Sequence, residues 1–242
     1  MIPVKHAGIF AAGLGTRLAK EFPGVCKPMT PILGKPLIDW TVQLLTSAGF
    51  ESITILLNSK GKQAKDYLKK TFPDENFIFI VKDTASSYES FRLLSQTLSC
   101  VAENFILSAV DSFYKPNILK NLANFNKDKF DAVLTVTNDI RDEKPLWADV
   151  NEEGKITAMG DWSKNKKYAT SGLYLITKKL AEEMPNPQYF KALRYYLSEI
   201  TLTGKKIISF NAKQSVDIDT KEDISLAENF LKKYLSENKC LR

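Results

Sequence analysis

The 242-residue sequence holds one histidine, His6, and three cysteines, Cys26, Cys100 and Cys240, with no Cys-x-x-Cys spacing. His6 precedes the first predicted strand, so no catalytic histidine is expected. An odd cysteine count without paired spacing points away from a disulfide framework or a zinc ribbon and towards reduced thiols in a cytoplasm. No apolar run approaches the ~18–20 residues that a membrane span needs, and no targeting or anchoring segment is expected. Basic residues exceed acidic ones, 34 to 28, giving a formal charge of +6. They are spread along the chain without a run that would track a nucleic-acid backbone, so the excess favours small anionic partners. Lys164, Lys166 and Lys167, the densest cluster, read as a solvated loop. No Pro/Ser/Gly-rich linker and no internal repeat divides the chain, which is therefore read as a single domain over 1–242 whose last six or so residues fray.

What is present is an alternation of short apolar runs with helix-length amphipathic segments. AGIFAA (7–12), ITILL (53–57), FIFIV (77–81) and FILSAV (105–110) read as strands. Between them, a helix begins near Pro36 and stops at Gly49, and 60–70, 87–100 and 116–125 behave similarly. This order implies a parallel sheet with helices on both faces. After residue 130 the rhythm changes. FDAVLTVT, LWADV, KITAMG and YATSGLYLIT are strand-like without long helices between them, a hairpin turn falls at Asn151–Gly154, and helices at about 189–202 and 221–236 flank a last strand, KIISFNA. The expected fold class is α/β: a three-layer α/β/α Rossmann-like mixed sheet, mostly parallel in its first half, with antiparallel additions in the second.

The loop that follows the first strand, Ala11-Ala12-Gly13-Leu14-Gly15-Thr16-Arg17-Leu18, stands where open α/β sheets bind ligands. Gly13 and Gly15 let backbone N–H groups approach an oxyanion, Thr16 adds a hydroxyl and Arg17 a forked cation. The Walker A spacing is absent, and Leu18 occupies the position where a dinucleotide fingerprint needs a third small residue. Ten residues past Arg17 comes Lys27-Pro28-Met29-Thr30-Pro31-Ile32-Leu33-Gly34-Lys35-Pro36-Leu37-Ile38. The stretch AAGLGTRL…KPMTPILGKPLI resembles the signature of the nucleotidyltransferase family that includes sugar-1-phosphate, phosphocholine and related metabolite nucleotidyltransferases. The resemblance is strongest over 7–38, fair at 104–111 and 215–228, and weak across 138–170. It implies a GT-A-like fold in which 1–130 binds the nucleotide and 131–242 the acceptor. Ala11, Ala12, Gly13 and Gly15 would lie along the nucleotide, Arg17 and Lys27 would contact its phosphates, and Lys35 would stand outside the site.

Carboxylates complete the expected chemistry. Asp111 ends the apolar strand 104–110 and is placed to hold Mg²⁺, although the family usually has Gly where Val110 stands. A second ligand is expected from Ser215–Ile224, where Asp217 and Asp219 fall on the same side of an extended segment; the residues leave open which of them serves. Thr220 and Asp223 also read as the N-cap and third position of a helix. Asp83-Thr84-Ala85-Ser86-Ser87 resembles the base and ribose segment, with Thr84 and Ser86 as contacts, and Thr170–Tyr174 resembles the strand under the acceptor, with Ser171 and Gly172; a glycine within a strand fits either close ligand approach or a bulge. No Glu-Lys-Pro element of the hexose-phosphate members is found around Met159–Trp162, which argues against an ordinary hexose 1-phosphate. Trp147 and Trp162 are expected in the core.

The implied function is a Mg²⁺-dependent transfer of NMP from an NTP to a small phosphorylated metabolite, with a sugar 1-phosphate as the leading type, releasing pyrophosphate. Arg17, Lys27 and Asp111 are the expected catalytic residues. Homo-oligomerisation is compatible with this reading; nucleic acid and membrane are not expected as partners. The alternatives are a non-catalytic nucleotide-binding module of the same fold and a glycosyltransferase using a nucleotide-sugar, whose Asp-x-Asp is missing at Asp111-Ser112-Phe113.

Overall fold

The computed structural model describes residues 4–125 and 130–237; Cys240 and the C-terminal end expected to fray lie outside the described residues. The first half contains β1 (His6–Ala11), the one-turn helix α1 (Leu18–Glu21), the short pair β2 (Pro31–Ile32) and β3 (Lys35–Pro36), α2 (Leu37–Ala48), β4 (Ser52–Leu57), α3 (Lys62–Thr71), β5 (Phe77–Val81), α4 (Ser87–Ser99) and β6 (Asn104–Ala109). The second half contains β7 (Ser112–Tyr114), α5 (Pro116–Ala123), β8 (Ala132–Thr137), β9 (Trp147–Val150), β10 (Ile156–Met159), β11 (Tyr168–Thr177), α6 (Lys178–Glu182), α7 (Leu193–Ile200), β12 (Ile207–Asn211), β13 (Ser215–Asp217) and α8 (Lys221–Glu237).

Nine of these strands form one sheet. Its main path is β10-β9-β11-β6-β1-β4-β5, with β8 lying along the remainder of β11 and β12 beside β8. β1 pairs in parallel with β4 and β6, and β4 with β5. β11 runs antiparallel to β6, β8 and β9. The expected change from parallel to antiparallel therefore falls at β11, and the parallel pair β8–β12 departs from it. β7 and β13 form a separate two-stranded antiparallel ribbon.

Side-chain alternation explains the three layers, because successive residues of a strand face opposite sides. Ala7, Ile9 and Ala11 of β1 pack on one face with Ile55 and Leu57 of β4, Leu45 of α2, Leu122 of α5 and Leu231 of α8. Phe10 faces the other side, with Leu56, Phe91 and Leu94 of α4, Leu180 of α6 and Tyr196 of α7. The rings of Phe91 and Tyr174 meet edge to face at 5.3 Å there. Removing such a buried ring costs about 3–5 kcal/mol.

Several expectations are adjusted. β1 begins at His6, so that residue opens the first strand. The helix expected over 189–202 is confined to α7, because Ala192 is extended at φ −157° and Ser87 Oγ accepts the Leu193 N–H at 2.9 Å. Trp162 is 59% exposed on a surface turn, and Trp147 is half-buried, so neither tryptophan fills the core. Lys164, Lys166 and Lys167 are exposed in the loop before β11, as expected. No described helix is long and apolar enough to cross a membrane.

Candidate active site

The loop after β1 closes over a lysine. Gly15 has a left-handed backbone, φ +58°, and a side chain there would start 2.6 Å from Lys27 Cβ. Glycine lets the loop lie against the Lys27 stem, a close approach that any larger residue blocks. The loop is tied to the sheet by Asn58, whose Nδ2 donates to the Ala12 carbonyl at 2.9 Å.

The carboxylates come from two distant segments joined by the β7–β13 ribbon. Asp217 pairs with Ser112 in that ladder, and the Ile218 N–H donates to the Asp111 carbonyl at 2.9 Å. This bond fixes the backbone of Asp219 beside Asp111. The Lys27 ammonium, almost fully buried, donates to Asp111 and, at 2.7 Å, to Asp219 Oδ1. Arg17 Nη2 holds the other Asp219 oxygen at 3.0 Å. Burial alone would lower the Lys27 pKa, but the charges of Asp111 and Asp219 outweigh it and hold the ammonium well above the ordinary lysine range. Burial pushes Asp219 up, and the Lys27 and Arg17 cations more than offset it, leaving that carboxyl below its usual range.

Asp217 differs from its neighbours. Its carboxylate accepts the Ser112 hydroxyl rather than a cation. The residue is open to solvent through the mouth of a cleft, yet protein surrounds it closely on the remaining sides. That burial, with Asp111 and Asp219 nearby, raises its pKa to about 7 against the lowering effect of Ser112.

Two cavities meet at this network. One, of about 460 Å³, lies between the glycine loop and the N-terminus of α4; Ala12, Gly13, Gly15, Thr16, Thr84, Ser86, Lys27 and Asp111 all line it. Ser86 caps α4 by accepting the Glu89 N–H at 3.1 Å, and Thr84 Oγ1 lies 2.6 Å from Ser90 Oγ. The other, of about 340 Å³, lies between the 137–145 segment, the start of β11 and the start of α8, and Asp217 lines it. Arg17 and Asp219 line both.

Three of the expected residues line neither cavity. Ala11 lines neither cavity: it is 2% exposed and packs in the core, since alternation turns it away from the cleft that Ala12 faces. Ser171 is fully buried and donates to Thr135 Oγ1 at 2.9 Å. Gly172 sits at φ +74° where the β11–β8 register shifts, and a side chain there would collide with Ser112 Oγ. The bulge turns both residues away from the second cavity, which Ala169 and Thr170 line instead. Of the three carboxylates, Asp111 and Asp219 share the Lys27 ammonium while Asp217 bonds to Ser112, and no group of three His, Cys, Asp or Glu placed as metal ligands occurs among the described residues.

The remaining pair fits a divalent cation that keeps its other positions for phosphate oxygens and water. Asp111 and Asp219 already converge on one cation, and Mg²⁺ is commonly held by one or two carboxylates plus substrate phosphates. The sequence reading missed the 139–143 part of the second cavity: Asp139, Arg141, Asp142 and Glu143. Their signal was a dense run of charge at the end of a strand, 130–137, where such sheets place their sites.

Residues 7–181 match the model of the MobA-like NTP transferase domain. The chain belongs to that family. It is similar to the 2-aminoethylphosphonate cytidylyltransferase of Lancefieldella rimae, with 29% identity over 116 residues, 46% of this chain and 47% of that protein. It is also similar to the D-glycero-alpha-D-manno-heptose 1-phosphate guanylyltransferase of Campylobacter jejuni, with 23% identity over 186 residues, 76% of this chain and 81% of that protein. The chain spans about half the length of the first relative and less of the CMP-5'-(3-aminopropyl)phosphonate synthase of Streptomyces rubellomurinus. In fold, the inositol-1-phosphate CTP transferase of T. maritima superimposes with a TM-score of 0.83 at 23% identity, covering 97% of both chains. The MobA-like domain thus has the expected α/β architecture, with its loop after β1 and its carboxylates at one end of the sheet.

Proposed function

We propose that this chain is a Mg²⁺-dependent nucleotidyltransferase that moves NMP from an NTP to a small phosphorylated acceptor and releases pyrophosphate. The observation that carries the reading is the meeting of two cavities at Arg17 and Asp219, with Lys27 and Asp111 on the glycine-loop side. The NTP occupies the larger cavity and the acceptor the carboxylate-rimmed one. An acceptor phosphate oxygen attacks the α-phosphorus, the bond from that phosphorus to the bridging oxygen breaks, and pyrophosphate carries away the electron pair.

The acceptor phosphate is already anionic, so the reaction calls for positioning and charge stabilisation rather than a general base. Arg17 on the loop and Lys27 beneath it neutralise the charge that develops on the non-bridging and leaving oxygens. Asp111 and Asp219 would hold Mg²⁺, which when bound supplies further charge neutralisation on the phosphates. The second cavity carries Asp142, Glu143 and Glu222 beside Arg141, a lining suited to an acceptor rich in hydroxyl or amino donors; sugar 1-phosphates and phosphorylated amino alcohols both have this character.

The test is pyrophosphate release with Mg²⁺ over a grid of the common NTPs against hexose 1-phosphates, amino-sugar 1-phosphates, sugar acids and phosphocholine. The reading expects release that depends on one acceptor class. Release that ignores the acceptor, or none across the grid while NTP binds, contradicts it.

A further inference from the structure

The network contains one more cation than a simple metal site would hold. One oxygen each of Asp111 and Asp219 is taken by the Lys27 ammonium. The Gly15 backbone lies against the base of its stem, and its side chain is 8% exposed. The carboxylates have little freedom to part around a second cation, because the Ile218 N–H bond to Asp111 ties their backbones together and Arg17 holds the outer Asp219 oxygen. A divalent ion entering here would meet occupied oxygens and a like charge a few ångströms away.

We propose that Lys27 is a resident cation that keeps the Asp111–Asp219 pair closed to divalent metal until the nucleotide's phosphates draw it off. This inference rests on the nucleotidyltransferase reading. In this exchange the ammonium moves from the carboxylates to phosphate oxygens, which would free Asp111 and Asp219 to hold a divalent ion. The lysine stem has the rotatable bonds for a short swing, and an ammonium binds phosphate as a point charge without a fixed fork geometry. Metal and nucleotide therefore bind with positive coupling, which is reciprocal by linkage. Lys27 thus has two successive roles: before nucleotide binds it holds the two carboxylates in register, and afterwards it sits on the phosphates.

The test uses Mn²⁺ as the probe, with the free ion read by electron paramagnetic resonance in titrations of the full chain without nucleotide. Wild type is expected to take up Mn²⁺ only weakly, and Lys27→Met at least about tenfold more tightly, within the usual range of coupling factors. Asp219→Asn in the Lys27→Met background should remove the gain, locating the ion at this pair. Lys27→Arg, which keeps a cation, should remain closed. Circular dichroism checks folding, and Lys27→Gln replaces Lys27→Met if the latter does not fold. Wild-type uptake as tight as that of the neutral variant overturns the proposal, as does a gain that survives Asp219→Asn. If wild type shows acceptor-dependent pyrophosphate release yet binds Mn²⁺ tightly alone, only this inference fails. If no pyrophosphate is released but Lys27 still excludes Mn²⁺, it is the reading of the reaction that fails.

Discussion

The two cavities are built in opposite ways. The nucleotide-side cleft draws most of its wall from one contiguous loop and from strand and helix ends beside it, and its charge is concentrated in Arg17, Lys27, Asp111 and Asp219, which form one network. The acceptor-side cavity is assembled from three segments far apart in the chain, 137–145, 169–170 and 215–226, and spreads its charge over many side chains. A group aimed at charge that develops during reaction contributes far more to rate than one of many contacts made equally to substrate and transition state. The two sides should therefore respond differently to substitution.

The largest effects belong to the concentrated side. Lys27→Ala or Asp111→Asn is expected to lower kcat for pyrophosphate release at least ~100-fold in a folded protein, the usual loss for a transition-state charge or metal ligand. Rates near wild type would erase the distinction. Next comes the frame of the second half. Asp149 accepts the Ser163 hydroxyl at 2.6 Å and the Lys164 and Asn165 N–H groups at 2.8 and 3.0 Å. Burial works to raise its pKa, and these bonds outweigh burial and lower it. Its contribution is therefore complete above the ordinary carboxylate range and disappears as pH falls through the lowered folded value. Asp149→Asn should cost ~2 kcal/mol at neutral pH, with its melting curve converging on wild type in acid. A constant gap at all pH values would show that the carboxylate charge is not involved.

Smaller effects separate the cavities. Ser86→Ala removes the α4 cap at the nucleotide-side rim and should cost ~1 kcal/mol in denaturant unfolding. Glu222→Gln or Asp142→Asn should raise the acceptor KM only a few-fold, corresponding to ~0.5–1 kcal/mol for one exposed contact, and leave the NTP KM alone. A change in NTP KM of the same size would mean that the cavities are not separate.

The same contrast explains what could be read from the sequence. The central strands and α2 were legible because hydrophobic periodicity and punctuation such as Gly49, which ends α2 at φ +94°, are local signals. The loop 11–17 was legible because its glycines and cations are contiguous. Within it the Ala11 side chain turns into the core with Ala7 and Ile9, as alternation along β1 requires. The N-cap reading at Thr220 holds in modified form: its N–H and hydroxyl both bond to Asp223 Oδ2 at 2.8 and 2.9 Å.

The acceptor side was far less legible. Ser171 and Gly172 resemble the strand under the acceptor, but a glycine inside a strand equally marks a bulge, and it is the bulge in β11 that the register shift against β8 bears out. The choice between Asp217 and Asp219 was open for a related reason. Alternation puts both on one side of an extended chain, yet β13 ends at Asp217, and the Ile218 N–H bond to Asp111 turns Asp219 towards Lys27. The separation of the two carboxylates depends on the β7–β13 ribbon, a pairing of residues about a hundred positions apart.

The most direct test of the central claim, that NMP crosses from one cavity to the other at Arg17 and Asp219, is the stoichiometry of products measured by mass spectrometry after incubation with NTP, Mg²⁺ and the acceptor found active. The account predicts an NMP-linked acceptor and pyrophosphate in equal amounts. NDP with inorganic phosphate, or pyrophosphate with free NMP and untouched acceptor, would contradict it.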